Sequence, residues 1–265
     1  MKLTVLFDNN SRPESNPISE HGLSFLIEDD SRKLLFDCGS TDMFIKNTYN
    51  MDIDMSKITD VILSHGHSGR IGGLARLQAL YENFRASGVK FNPKMLIAHP
   101  YVFKPEDGDM YTGDNHKLSE DELDEFFNII LTSEAKFLSK KLIYLGGIPV
   151  RFDDISKDYS PDETALAYKS EKGLIIFSGC SHCGLRNIID YATYITGVEK
   201  IETVFGGVYL INSSDDEVNE LGKYLQKKNI EHIYPCNCAD DNAKTILSNY
   251  VKVEDTSAGS QYVWQ

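Results

Sequence analysis

The chain is short of positive charge. Lysine and arginine number 27 against 40 aspartates and glutamates, a formal charge of -13, and a surface that acidic repels polyanions. Nucleic acid and anionic membranes are therefore set aside as partners, while a local basic pocket for a small anion is still allowed. Long apolar runs are missing too. No stretch approaches the roughly 20 residues of a membrane span, and the opening MKLTVLFD turns polar too soon for a signal-peptide core, so the expected location is the cytoplasm. Cysteines are few and odd in number: Cys38, Cys180, Cys183, Cys236 and Cys238. In a reducing compartment such a set reads as free thiols or ligands, not a disulfide framework. Low-complexity tracts and separating linkers are also lacking, which leaves one domain over residues 1–265. A chain of this length can bury a sizeable core.

What is present is a repeated grammar. Leu3 to Phe7, Leu23 to Ile27 and Lys33 to Asp37 read as strands separated by polar turns, and a helix is expected from about Thr41 to Asn50. Val61-Ile62-Leu63 is a short buried strand, followed by the loop Ser64-His65-Gly66-His67 and a helix carrying Leu74, Leu77, Leu80, Tyr81 and Phe84. Lys94 to Ala98 is another strand. Ser119-x-x-Glu122 is a capping box opening a short acidic helix to about Phe127. Strands are then expected at Ile129–Leu131, Leu142–Leu145 and Val150–Phe152.

The second half repeats the first. Ala165–Tyr168 and Leu174–Phe177 form a hairpin about Glu171-Lys172-Gly173, and the second strand runs into Ser178-Gly179-Cys180-Ser181-His182-Cys183-Gly184. Leu185, Ile188, Ile189, Ala192 and Ile195 mark the buried side of the next helix, stopped by Gly197. Val204-Phe205 is a strand ending in Gly206-Gly207-Val208-Tyr209; Ser214-x-x-Glu217 caps a helix to about Lys228. His232-Ile233-Tyr234 ends in Pro235-Cys236-Asn237-Cys238, and a helix from about Asp240 and a strand at Tyr250–Val253 close the pattern. Four times a strand ends in a Gly-, Cys- or His-bearing loop and a helix follows. In layered α/β folds such loops gather along one edge, where sites are built.

With those loops in view, the chain resembles the metallo-β-lactamase superfamily, and most of all its branch of metal-dependent hydrolases and dihydropterin-ribofuranosylaminobenzene-phosphate-synthase-like proteins. The motifs that carry the resemblance are Glu20-His21-Gly22-Leu23, Leu35-Phe36-Asp37-Cys38-Gly39, Leu63-Ser64-His65-Gly66-His67, Gly179 to Gly184, Gly206 to Leu210 and Pro235 to Cys238. The resemblance implies an α/β fold, the αββα metallo-β-lactamase-like sandwich, over nearly the whole chain. It also implies that His65, His67 and His182 hold the first metal.

The departures from the family are concentrated at the second metal. The signature His-x-His-x-Asp-His here has Gly69 in the Asp position and Arg70 in the last His position; Tyr209 and Asn237 replace two further histidines. Three neutral imidazoles and a water make a four-coordinate zinc site with an open position, with iron as the alternative metal. A two-metal bridging hydroxide is excluded because Gly69 offers no carboxylate.

Candidate catalytic residues are Asp37, Arg70 and Tyr209. Asp37 is expected behind a ligand histidine, fixing its tautomer, or else capping a turn. Arg70 supplies a forked donor for a carboxylate or phosphate, or else pairs with Asp37. Tyr209 donates to a substrate oxyanion, or else packs at the rim. His21, Arg70 and Asn237 are the candidate substrate contacts, and Cys183 is a candidate extra ligand. The expected function is a mononuclear metal-dependent hydrolase or transferase of a small anionic metabolite. The alternatives are a ligand-binding protein without turnover, and a redox relative with one iron.

Overall fold

The computed structural model describes residues 1–9, 22–30, 32–90, 92–103, 123–159, 161–236 and 238–265. Its backbone divides into two compact units, Met1–Ser133 with Ser257–Trp264, and Glu134–Thr256 with Gln265.

The first unit is built on β1 (Lys2–Phe7), β2 (Ser24–Asp29), β3 (Arg32–Phe36), β4 (Asp60–Ile62), β5 (Lys94–Ala98), β6 (Phe127–Leu131) and β14 (Gln261–Val263), ordered β14-β1-β2-β3-β4-β5-β6. The β1-β2 and β2-β3 pairs are antiparallel. From β3 onward each crossover returns the chain in the same direction, so Leu35 pairs with Val61 and Val61 with Leu96 in parallel. In this stretch β4 is buried along its length and β3 over Leu34–Phe36, as apolar runs between neighbouring strands require. The helices are α1 (Met43–Asn50), α2 (Ser68–Ile71) and α3 (Leu74–Ala86). Leu74, Leu77 and Tyr81 of α3 enter a cluster with Phe7, Phe44, Phe126 and Phe127, and the Tyr81 and Phe127 ring centroids lie 5.9 Å apart.

The second unit holds β7 (Lys136–Phe137), β8 (Leu142–Tyr144), β9 (Ala165–Lys169), β10 (Leu174–Ser178), β11 (Ile201–Gly206), β12 (His232–Pro235) and β13 (Lys252–Val253), ordered β13-β12-β11-β10-β9-β8-β7. It too passes from antiparallel pairs to parallel ones, the change falling between β9-β10 and β10-β11. Its helices are α4 (Leu185–Thr196), α5 (Asp215–Lys227) and α6 (Asp241–Leu247). The α4 face Leu185, Ile188, Ile189 and Ala192 is buried with Ile143, Ile176, Val204 and Ile233, and α5 carries the expected capping box of Ser214 and Glu217.

Two expectations fail locally. Val150–Phe152 is not a strand: the N–H groups of Arg151 and Phe152 both donate to the Asn187 side-chain oxygen, at 2.7 and 2.9 Å, instead of to a ladder. Phe127 opens β6 instead of closing a helix, and the Ser119–Glu122 capping box lies outside the described residues. The strands β7 and β14 were not expected. Among the described residues, no helix is long and apolar enough to cross a membrane.

The strand ends are tight. Gly206, closing β11, has φ +122°, and a Cβ there would lie 2.0 Å from the Ser178 carbonyl oxygen. Gly88 shares a positive φ, +74°, but faces open space. Gly206→Ala is expected to cost about 3 kcal/mol, strain plus clash, and Gly88→Ala about 1 kcal/mol for the backbone alone. Urea midpoints of the two variants measure the difference; equal midpoints would show that the Ser178 contact relaxes without cost.

Candidate functional site

In the first unit the site is organised by one buried carboxylate. Asp37 follows β3 with φ +62° and is fully buried. Its Oδ1 accepts the Ser64 N–H at 2.7 Å and its Oδ2 accepts the Ser64 hydroxyl at 2.7 Å. The Ser64 oxygen also lies 2.9 Å from His65 Nδ1. A hydroxyl has one proton. With that proton spent on Asp37, the Ser64 oxygen accepts from Nδ1–H, and the lone pair of His65 sits on Nε2. Asp37 thus acts on His65 through Ser64, where the sequence suggested a direct contact.

The loop that carries His65 and His67 packs closely on the Asp37 turn. Cys38 N–H donates to Arg70 O at 2.7 Å, and Gly73 N–H to Gly39 O at 3.1 Å. An added Cβ on Gly73 would meet Cys38 O at 2.2 Å, so only glycine permits this approach. His67 occupies the N-cap position of α2, and the His65 and His67 rings meet edge to face with centroids 4.7 Å apart.

Arg70 is 3% exposed and Asp37 0%; Arg70 Nε lies 3.5 Å from Asp37 Oδ2, and its Nη1 donates to Gly69 O at 3.0 Å. The guanidinium is directed at protein groups, the second of the two roles open for it in the sequence. A buried cation beside a buried anion offsets part of the desolvation cost of each.

The second unit repeats the device with different residues. Glu163, just before β9, is buried and accepts the N–H groups of His182 and Cys183 at 3.0 and 2.6 Å. Burial pushes its carboxyl up, and those hydrogen bonds pull against that shift. Ser156 grips His182 twice: its N–H donates to His182 O at 2.7 Å, and its hydroxyl lies 2.8 Å from His182 Nδ1. Ser64, Ser156 and Glu163 were all missed in the sequence. Ser64 had a cue in its place beside His65; a lone serine and a lone glutamate far from His182 had none.

Tyr209 packs beside this loop, its ring tilted against that of His182 with centroids 4.5 Å apart. Its N–H donates to Ser181 Oγ at 3.0 Å and its hydroxyl to Asp158 Oδ2 at 2.8 Å. Hydrogen bonding to Asp158, then burial, pushes the phenol up to about 12.

All five cysteines are free and buried. Burial and then Glu163 push the Cys183 thiol up. Cys180 Sγ and Cys238 Sγ lie 2.9 Å apart. His99 caps the Tyr101 N–H at 3.3 Å and His232 Nδ1 lies 3.3 Å from Glu254, structural roles both. His21, His116 and Asn237 lie outside the described residues.

Comparison with known proteins bears on the fold and the family. The family model of the metallo-beta-lactamase superfamily matches residues 20–83, which include Asp37, His65 and His67. A solved metal-dependent hydrolase of the beta-lactamase superfamily, Tm1679, superposes with a TM-score of 0.81 at 28% identity, covering 100% of both chains. The chain carries the fold and the motifs of the metallo-beta-lactamase superfamily. Among curated members, a Methanocaldococcus jannaschii protein named 7,8-dihydropterin-6-methyl-4-(beta-D-ribofuranosyl)-aminobenzene-5'-phosphate synthase is 28% identical, over 95% of this chain and 92% of that one. The Bacillus subtilis metallo-beta-lactamase fold protein YhfI shares the fold at 14% identity, with a TM-score of 0.64 and 99% of each chain covered. The α/β class expected from the sequence is thus the superfamily's fold.

Two tests follow from the geometry. Ser64→Ala removes the acceptor at His65 Nδ1 and one donor to Asp37. It is expected to cost about 1–2 kcal/mol and to mix the two His65 tautomers, read from imidazole 15N shifts; an unchanged tautomer would remove Ser64 from the relay. Asp158→Asn should return the Tyr209 phenol toward its ordinary value near 10. With the phenol raised in the folded state, its stabilising contribution is present below about pH 10 and is lost as pH rises toward 12. Tyrosine 13Cζ titration checks the shift.

Proposed function

We propose that the protein is a mononuclear metal-dependent hydrolase or transferase acting on a small anionic metabolite, with His65, His67 and His182 as the ligands of one zinc ion. The observation that carries this reading is the pairing of Ser64 with His65 Nδ1 and of Ser156 with His182 Nδ1. A metal-binding imidazole is normally held in this way, by a partner on its other nitrogen. The edge-to-face approach of the His65 and His67 rings suits two ligands from one short loop. When bound, zinc supplies a water with a pKa near 7. The likeness to a named metal-dependent hydrolase and to a named synthase supports keeping hydrolysis and group transfer together.

The chain's own residues then divide as follows. Ser64, oriented by Asp37, and Ser156 hold the ligand rings; Glu163 holds the backbone of the His182 loop. Arg70 sits where relatives have a ligand and brings a fixed positive charge to the Asp37 carboxylate. Tyr209, protonated across the working range, donates to a substrate oxygen after releasing Asp158. His21 and Asn237 are proposed to contact substrate, and the two units to act as one domain. The second reading, a binding protein without turnover, is favoured by the engagement of Arg70 with Asp37.

The test is metal content by mass spectrometry on protein purified without chelators. About one zinc per chain is expected in the parent and none in His65→Ala or His182→Ala, with phosphoester, lactone and thioester hydrolysis falling at least about 1000-fold in both. Equal metal in parent and variants would overturn the ligand assignment. Stoichiometric metal with no turnover above the His65→Ala background would favour the binding protein.

A further inference from the structure

A cavity of the second unit lies beside the His182–Tyr209 pair, with a volume of about 660 Å³, within the range of small-molecule sites. One wall is the segment 153–158, the other the turn after β11 and the start of α5. Its lining is unbalanced in charge: six carboxylates face two cations, Lys157 and Arg186. Several of those charges are already engaged. Arg186 is paired with Asp154 at 2.9 Å, Glu217 serves the α5 capping box, and Asp158 accepts from Tyr209. Asp153 and Asp216 form neither ion pair nor hydrogen bond among the described residues.

Two further observations point to an organic occupant. Ile155 and Ile211 line the cavity and are each 41% exposed, large apolar side chains left facing solvent. Ser181, also in the lining, is 3% exposed, and its hydroxyl accepts from Tyr209 N–H while its own proton finds no acceptor among the described residues. A bare metal ion would use neither the isoleucines nor that donor, and would leave most of the volume empty.

We propose that this cavity binds a small organic cation, an amine on an apolar body, with the ammonium at Asp153 and Asp216, the apolar part against Ile155 and Ile211, and an oxygen of the ligand on Ser181. In the hydrolase reading this is the far end of the substrate, and the proposal rests on that reading for this role alone; binding itself needs no metal.

The experiment is calorimetric titration of the full chain, with and without EDTA, using tyramine, N-acetyltyramine as its uncharged counterpart, and 4-hydroxyphenylacetate as its anionic one. Tyramine should bind at least tenfold tighter than N-acetyltyramine, the acid should not bind, and Asp153→Asn/Asp216→Asn should lose tenfold in tyramine affinity at an unchanged melting temperature. EDTA should leave tyramine binding intact. Equal affinity for tyramine and N-acetyltyramine, no binding at all, or an unaffected double variant would overturn the proposal. So would uptake of calcium chloride without tyramine, which would make the cavity a site for a mineral cation. Tyramine binding without metal-dependent turnover leaves the cavity standing and removes the hydrolase reading; turnover without tyramine binding does the reverse.

Discussion

Two buried carboxylates set the terms for everything around them. A carboxylate taken out of water must be met by several donors or become a large cost. Asp37 is met by the Ser64 N–H, the Ser64 hydroxyl and Arg70, and Glu163 by the N–H groups of His182 and Cys183. In both units the demand for donors is answered by a loop at a strand end, and both loops carry a candidate metal ligand. The loop is wrapped onto the anion, and the histidine is placed as a result.

Arg70 fits the same logic. At the corresponding place in the family's signature a histidine serves a second metal, and a cation is part of the local charge balance. Here Gly69 precedes Arg70, whose guanidinium lies 3.5 Å from Asp37. A carboxylate at 69 with no cation beyond Arg70 beside it would be a further buried anion, and glycine avoids it. The Gly69 carbonyl is put to use by Arg70 Nη1 and by the Leu23 N–H.

The elements were legible where local pattern and tertiary need coincide. The apolar runs at β3, β4, β10 and β11, the α4 face from Leu185 to Ala192, and the Ser214–Glu217 box all stand in the structure as they read in the chain. Val150–Phe152 has the composition of a strand, yet its N–H groups are claimed by Asn187, a partner 35 and 36 positions on that no window of sequence shows. The strand Gln261–Val263 is short, and among the described residues it pairs with β1 alone, Lys2 opposite Val263. In the site, the histidines were visible through spacing and resemblance. The groups that aim them were not, because a hydroxyl or a carboxylate acquires meaning only when folding delivers its neighbour.

The Asp37–Ser64–His65 chain has a consequence for how the ring behaves as a donor. A carboxylate bonded straight to an imidazole passes on both orientation and electron density, and so raises ligand basicity. An interposed hydroxyl transmits the orientation and withholds most of the charge. Placement and donor strength are therefore uncoupled in this protein: the ring is aimed as firmly as in a carboxylate–histidine pair, yet stays close to the softness of plain imidazole. Were His65 to hold an ion, as proposed, that ion would keep more of its own charge, which favours polarising what it binds over being held tightly.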